Sequence, residues 1–286
     1  MNGKLFYNED NEIDRGGDKI MTEEKLVDLR LPYPKMKDRL VRVYVPKHEE
    51  SDKLPVVYMT DGQNLFEEEK CKYGCWHIRE AVRDEFEKSG RSAIIVGIYN
   101  DKDPQRASEL TPRSVGKLKF PNLMSRIMIS LFAKPTGEIF DNFIINTVKP
   151  YVEKNFPVKM GRDNTAFCGS SMGGLMSFFT ALNNTNVFCM AGVFSPNVMM
   201  YSRKDMKKWI SSRSADNKPF LYMYMGNGDD MEKQLCPAFK SACMILKEIY
   251  PRECRKIVIK ETGKHNEAAW EPVFRDFLHE FLAKNH

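Results

Sequence analysis

The run Gly169-Ser170-Ser171-Met172-Gly173 sets a serine midway between two glycines. A serine hydroxyl is almost wholly protonated at neutral pH and becomes a useful nucleophile only beside a base. The spacing suggests a turn. Ala166-Phe167-Cys168 ahead of it is an apolar, strand-like run, and helical spacing resumes at Met172 and continues through Phe178 and Phe179 to Leu182. In a strand–turn–helix of this kind the central serine adopts a strained backbone, and glycines at 169 and 173 let strand and helix approach closely. The hydroxyl then stands above a sheet at a helix N-terminus, where backbone N–H groups can stabilise an oxyanion. A structural Gly/Ser turn is the plain alternative, but the flanking strand and helix favour a nucleophile at Ser171.

The base can be sought by elimination, because the chain has five histidines. His48 falls in a charged loop expected at the surface, His77 and His279 fall on predicted helices, and His286 is the last residue. His265 alone follows a predicted strand, Arg255 to Lys260, in the loop Thr262-Gly263-Lys264-His265-Asn266. Strand C-terminal ends share one edge of a parallel sheet, so this loop can reach the serine turn. A carboxylate between serine and histidine should complete the set. The predicted strand Phe220 to Met225 ends in Gly226-Asn227-Gly228-Asp229-Asp230, which makes Asp229 the first choice, Asp230 the alternative and Glu232 the third. Either aspartate could instead cap the next helix. The order Ser171, Asp229, His265 is that of α/β-hydrolases. An oxyanion hole is expected from the N–H of Met172 and that of Gln63, in the turn Asp61-Gly62-Gln63 after an earlier strand.

The rest of the chain must hold these turns at one edge. Leu26–Leu31 and Leu40–Val45 read as an antiparallel pair at a sheet edge, and Leu54–Thr60 and Ala93–Ile98 as buried strands. Helices are expected over Trp76–Phe86, Phe140–Phe156 (bent at Pro150), Lys204–Ser211, Ala238–Ile249 with Pro237 near its start, and Glu267–Leu282. Asp103–Lys119 reads as a polar loop, and Asn122–Ala133 as an apolar, Met-rich stretch. Strands alternating with helices predict an α/β fold, with a mostly parallel central sheet flanked by helices in a single domain. The expected division is a polar arm over 1–24 and one domain over 25–286, with an apolar excursion at about 113–137.

Composition narrows the function classes. The chain is 42% hydrophobic and 29% charged, as in ordinary globular proteins. Its formal charge of +5 is spread without basic runs or basic–aromatic interleaving, which argues against nucleic acid and gives a mild bias towards anionic ligands. The first 25 residues lack the apolar core of a signal peptide, and no stretch is long enough to span a bilayer. Seven cysteines, two of them in apolar strand-like runs, suggest free thiols in a reducing cytoplasm. Cys71 and Cys75 have no second Cys/His pair at finger spacing, so no metal is expected.

Several stretches together resemble the esterase family of the α/β-hydrolase fold, which includes feruloyl esterases, enterochelin-type siderophore esterases, S-formylglutathione hydrolases and antigen 85-like mycolyl transferases. They are Val57–Phe66, Val96-Gly97-Ile98 with Arg106, Glu109, Thr111 and Pro112, Asn164–Gly174, Ala191–Pro196, and Gly263–Glu267 with Trp270. The resemblance implies Ser171 as nucleophile, His265 as base, an acid within Gly226–Asp229, and Gln63 and Met172 as oxyanion hole. Two departures stand out. Arg113–Pro135 is unusually apolar and could be a packed excursion, a lid or a homodimer contact, and the acid motif holds two aspartates. The expected activity is carboxylic ester hydrolysis through an acyl-enzyme, on a small-molecule ester and with no cofactor. Acyl transfer to a sugar or alcohol is the alternative, and a non-catalytic binding module the third reading. Arg106 is a candidate substrate-binding residue for an anionic or phenolic ester, with an ordinary salt bridge as the equal alternative.

Overall fold

A strand covered on both faces must be apolar at every position, and Val56–Met59 (β3) and Ile94–Ile98 (β4) are buried throughout. They lie in an eight-stranded sheet completed by Lys25–Leu31 (β1), Arg39–Val45 (β2), Thr165–Ser170 (β5), Met190–Phe194 (β6), Phe220–Gly226 (β7) and Arg255–Lys260 (β8). The spatial order is β1-β2-β4-β3-β5-β6-β7-β8. β1 pairs antiparallel with β2, and β2 antiparallel with β4; every later pairing is parallel. The expected antiparallel pair therefore exists, with only β1 at the edge. The computed structural model describes residues 20–67, 69, 71, 74–119, 134–213 and 217–284. Most of the polar arm and the Met-rich segment Asn122–Ala133 lie outside the described residues.

Alternation along each strand divides the core in two. Val56 and Tyr58 face a cluster built with Gly137–Phe143 (α3), Lys149–Asn155 (α4), Met172–Asn183 (α5), Arg203–Ser212 (α6) and Asp230–Ile249 (α7). Val57 and Met59 face a second cluster built with Ile78–Ser89 (α1) and Glu267–Ala283 (α8). With helices on both faces and parallel strands at the centre, the architecture is that of the α/β-hydrolase fold.

Three local departures have physical causes. The single helix expected over Phe140–Phe156 is α3 and α4 joined by one π turn, Ile144–Val148. Pro150 has no N–H for the carbonyl four residues back, and the wider turn takes up that break. A short helix, Gln105–Glu109 (α2), interrupts the loop expected over Asp103–Lys119. Its Glu109 is buried against Arg39 of β2, an ion pair that ties α2 to the sheet. Finally, α7 begins at Asp230, well before the expected Ala238, and carries Pro237 in its interior. Leu235, Cys236 and Phe239 are buried in the core on either side of the proline. Burial of that face outweighs the missing hydrogen bond.

None of the seven cysteines is in a disulfide. No helix among the described residues is long and apolar enough to cross a membrane.

Candidate active site

Ser171 sits between β5 and α5 at φ 58°, ψ −121°, a conformation strained for a residue with a side chain. Its N–H donates to Phe194 O at 2.9 Å, and its carbonyl accepts from Asn197 N at 3.1 Å, so the turn is tied to the end of β6. The two glycines are required by space. A Cβ on Gly169 would lie 2.5 Å from Gly173 O, and one on Gly173 would lie 2.1 Å from Thr60 Oγ1 and 2.9 Å from Asp61 Oδ2. Strand and helix are thus packed backbone to backbone, and the serine side chain is forced outward over the strand ends.

His265 reaches that point from the loop between β8 and α8, with Nε2 2.9 Å from Ser171 Oγ. The two residues singled out by spacing and elimination are in hydrogen-bond contact. The other described histidines are engaged elsewhere. His48 is buried, not at the surface, and its Nδ1 lies 2.8 Å from both Thr22 Oγ1 and Pro46 O. His77 pairs with Glu271 and His279 with Glu85.

Of the three carboxylates weighed for the acid, the third choice, Glu232, lies nearest the imidazole ring. The Asp229 carboxylate is turned to backbone, accepting from His265 N at 2.7 Å and from Glu232 N at 2.9 Å. It therefore caps α7 and pins the histidine loop to that helix. Burial pushes its carboxyl up, but the two N–H groups outweigh burial and hold it below the usual carboxylate range. Asp230 opens α7 as an exposed residue. The carboxylate facing the imidazole is that of Glu232, whose Oε1 is 3.4 Å from His265 Nδ1 and whose side chain is fully buried. A signal for it was present. Asp229-Asp230-Met231-Glu232 has the N-cap and third-position acid of a capping box, which starts the helix at Asp230 and places Glu232 in its first turn. Reading Pro237 as a helix start hides that signal. The same carboxylate accepts from Ser195 Oγ at 2.5 Å, and that oxygen accepts from Trp270 Nε1 at 3.0 Å. Neither residue had been singled out for a role in the site.

Ser171 and His265 open into a cavity of about 470 Å³ that Gln63, Arg106, Glu267 and Trp270 also line. Gln63 lies in a short 3-10 turn after β3, and Met172 opens α5, so the two residues expected as oxyanion donors flank the elbow. Arg106 is no free anion receptor. Its Nε and Nη2 donate to the two oxygens of Asp61 at 2.6 and 3.0 Å, a bidentate pair that braces the turn carrying Gln63. Asp61, Asp103, Asp229 and Glu267 all line the cavity, so among the described lining residues carboxylates outnumber cations despite the positive charge of the whole chain. Burial pushes the Glu267 carboxyl up and Asp61 adds to this, while Asn64, donating to Glu267 Oε1 at 2.8 Å, pulls it the other way.

Among solved structures, the fold is similar to the BES protein from Bacillus cereus, with a TM-score of 0.66 and 19% identity over 97% of this chain and 99% of that one. The siderophore hydrolase EstA from Aspergillus nidulans matches with a TM-score of 0.63 and 19% identity, over 96% of this chain and 99% of that one. A CE1 ferulic acid esterase from Anaeromyces mucronatus, solved with ferulic acid, gives 0.62 and 19%, over 99% of this chain and 100% of that one. The family described as "Putative esterase" matches residues 35–281, nearly the whole described sheet and its helices. With that match, and with a serine elbow and histidine at the shared strand edge, the chain belongs to this esterase family, carboxylic ester hydrolases of the α/β-hydrolase fold.

Proposed function

We propose that the chain is a serine esterase in which Ser171 is the nucleophile, His265 the general base and then acid, and Glu232 the carboxylate that holds the imidazole. The observation that carries this reading is the 2.9 Å contact between Ser171 Oγ and His265 Nε2 at a strained strand–helix turn. His265 takes the hydroxyl proton as Oγ attacks the ester carbonyl, and the N–H groups of Gln63 and Met172 receive the oxyanion. The imidazolium returns its proton to the leaving alcohol as the carbon–oxygen bond breaks, leaving an acyl-enzyme. Water, activated by the same imidazole, then releases the acid. Glu232 keeps Nδ1 protonated, so that Nε2 is the basic nitrogen, and stabilises the cation that forms. Asp229 serves as the clamp between the histidine loop and α7.

The charge of the cavity bears on the substrate. With Arg106 committed to Asp61, and Glu267 and Asp103 on the wall, the site favours neutral esters, including phenolic ones, over polyanionic ones. The test is hydrolysis of p-nitrophenyl esters of increasing chain length and of methyl ferulate by wild type and Ser171→Ala, alongside fluorophosphonate labelling. Labelling and turnover that both vanish in the variant support the reading. Absence of both in the wild type refutes it. Added alcohol that diverts product from acid to a new ester marks the acyltransferase instead.

A further inference from the structure

We propose that Ser195 and Trp270 are positioning residues of the reaction, forming a buried relay that fixes the Glu232 carboxylate against His265; the proposal rests on the assignment of Glu232 above. The bonding directions are set by chemistry. An indole nitrogen only donates, so Trp270 Nε1–H donates a hydrogen bond to Ser195 Oγ at 3.0 Å. The single hydroxyl O–H of Ser195 is then free to donate in turn to Glu232 Oε1 at 2.5 Å. The same oxygen is the one 3.4 Å from His265 Nδ1. The chain therefore runs Trp270 to Ser195 to Glu232 to His265 to Ser171, across elements far apart in sequence.

The relay is dry. Ser195 and Glu232 are fully buried and Trp270 is 3% exposed. Among the described residues neither Glu232 Oε2 nor His265 Nδ1 has a hydrogen-bond partner, so the Ser195 bond to Oε1 is what orders the carboxylate beside the imidazole. Such a group keeps its place only while that contact persists. The backbone is also bent to deliver it. Ser195, at the end of β6, has φ 43°, in the left-handed region, while its N–H donates to Tyr224 O at 2.7 Å. Trp270 holds the far end as well, its ring standing edge-on to the His265 imidazole at 4.9 Å and 82°. A buried indole N–H needs an acceptor in any case; what singles out Trp270 is that its acceptor is the hydroxyl bound to Glu232 while its ring meets the imidazole.

The experiment is a pair of mutant cycles, Ser195→Ala and Trp270→Phe, each in the wild type and in the Glu232→Gln background, reading kcat, KM and the acid limb of the kcat/KM profile. Phenylalanine keeps a ring against His265 and removes only the donor. A charge-assisted bond to a buried carboxylate predicts a kcat about ten- to a hundredfold lower for Ser195→Ala and a few-fold to about tenfold lower for Trp270→Phe. KM should stay within about twofold, and the acid limb should move. In the Glu232→Gln background each further loss should shrink to less than about twofold. Equal losses in both backgrounds, or losses carried by KM and melting temperature with kcat intact, overturn the relay. A Glu232→Gln variant that retains wild-type kcat overturns the Glu232 assignment and the relay with it. Should Ser195→Ala fail to fold, the Trp270→Phe cycle decides alone.

Discussion

Replacing Glu232 by Gln and Asp229 by Asn separates two carboxylates that adjoin the same histidine. Glu232 Oε1 stands 3.4 Å from His265 Nδ1. Two unit charges at that separation, with an effective dielectric of about 20, attract by about 5 kcal/mol. That attraction exists only once the imidazole becomes cationic, so it lowers the barrier and leaves substrate binding alone. At about 1.4 kcal/mol per decade, Glu232→Gln should lower kcat by roughly 10³- to 10⁴-fold with KM little changed. Asp229 acts on the backbone, accepting from His265 N and Glu232 N. Asparagine keeps one acceptor oxygen for two N–H donors, so Asp229→Asn loses one bond and the charge assistance of the other, on the order of 2 kcal/mol or about thirtyfold. The two variants should differ by about thirtyfold or more in steady-state hydrolysis of p-nitrophenyl acetate. A Glu232→Gln enzyme within tenfold of wild type, beside an Asp229→Asn enzyme that is dead, would refute the reasoning and return the acid to Asp229.

The remaining expectations concern packing and strain as much as chemistry. Gly173→Ala drives a Cβ to within 2.1 Å of Thr60 Oγ1 and should destabilise the fold by about 2 kcal/mol or more, read as a lower urea midpoint. Ser171→Gly relieves a strained turn, at φ 58°, that Ser171→Ala does not; both should be inactive, with the glycine variant about 1 kcal/mol more stable and a few degrees higher in Tm. Equal Tm values would show that the elbow stores no strain in its Cβ. The Glu267 carboxyl is raised by burial, so its ionisation costs stability as pH climbs through that raised value and costs nothing at acid pH. Glu267→Gln should therefore raise Tm at about pH 8 and leave it unchanged at about pH 4, and a gain confined to acid pH would reverse the assignment.

What could be read from sequence followed from how far each signal reaches along the chain. The strand runs were legible because strands covered on both faces are apolar at each position, as Val56–Met59 is. The elbow was legible because its glycines and serine are neighbours whose spacing is itself the geometry. His265 fell to elimination among five histidines. The acid did not yield in the same way, because β7 ends in a cluster of carboxylates and only the start of α7 decides which one turns inward. Once Pro237 is read as a helix start, Glu232 falls in a loop. With the start moved back to Asp230, it occupies the third helical position, under the cap that Asp229 makes. Sequence alone leaves Arg106 open between a substrate contact and a salt bridge, for a related reason. Its nearness to the site was legible, while its bond to Asp61, far back in the chain, depends on α2 being tied down through Glu109 and Arg39.

Backbone strain follows the same edge of the sheet. Among the described residues, five without a glycine's freedom have positive φ, and three of them, Asp61, Ser171 and Ser195, stand just beyond the C-terminal ends of β3, β5 and β6. These are adjacent strands in the sheet order. Each strained residue either carries chemistry in the proposed mechanism or braces what does: Ser171 supplies the nucleophile, Asp61 holds the Gln63 turn through Arg106, and Ser195 donates to Glu232. Strain of about 1–3 kcal/mol per residue persists only where surrounding structure over-determines it. Here the over-determination is visible in the bonds that close across strands, Ser171 N to Phe194 O and Ser195 N to Tyr224 O. The two turns are coupled through β6, so relaxing either should loosen the serine and the carboxylate beneath the histidine together.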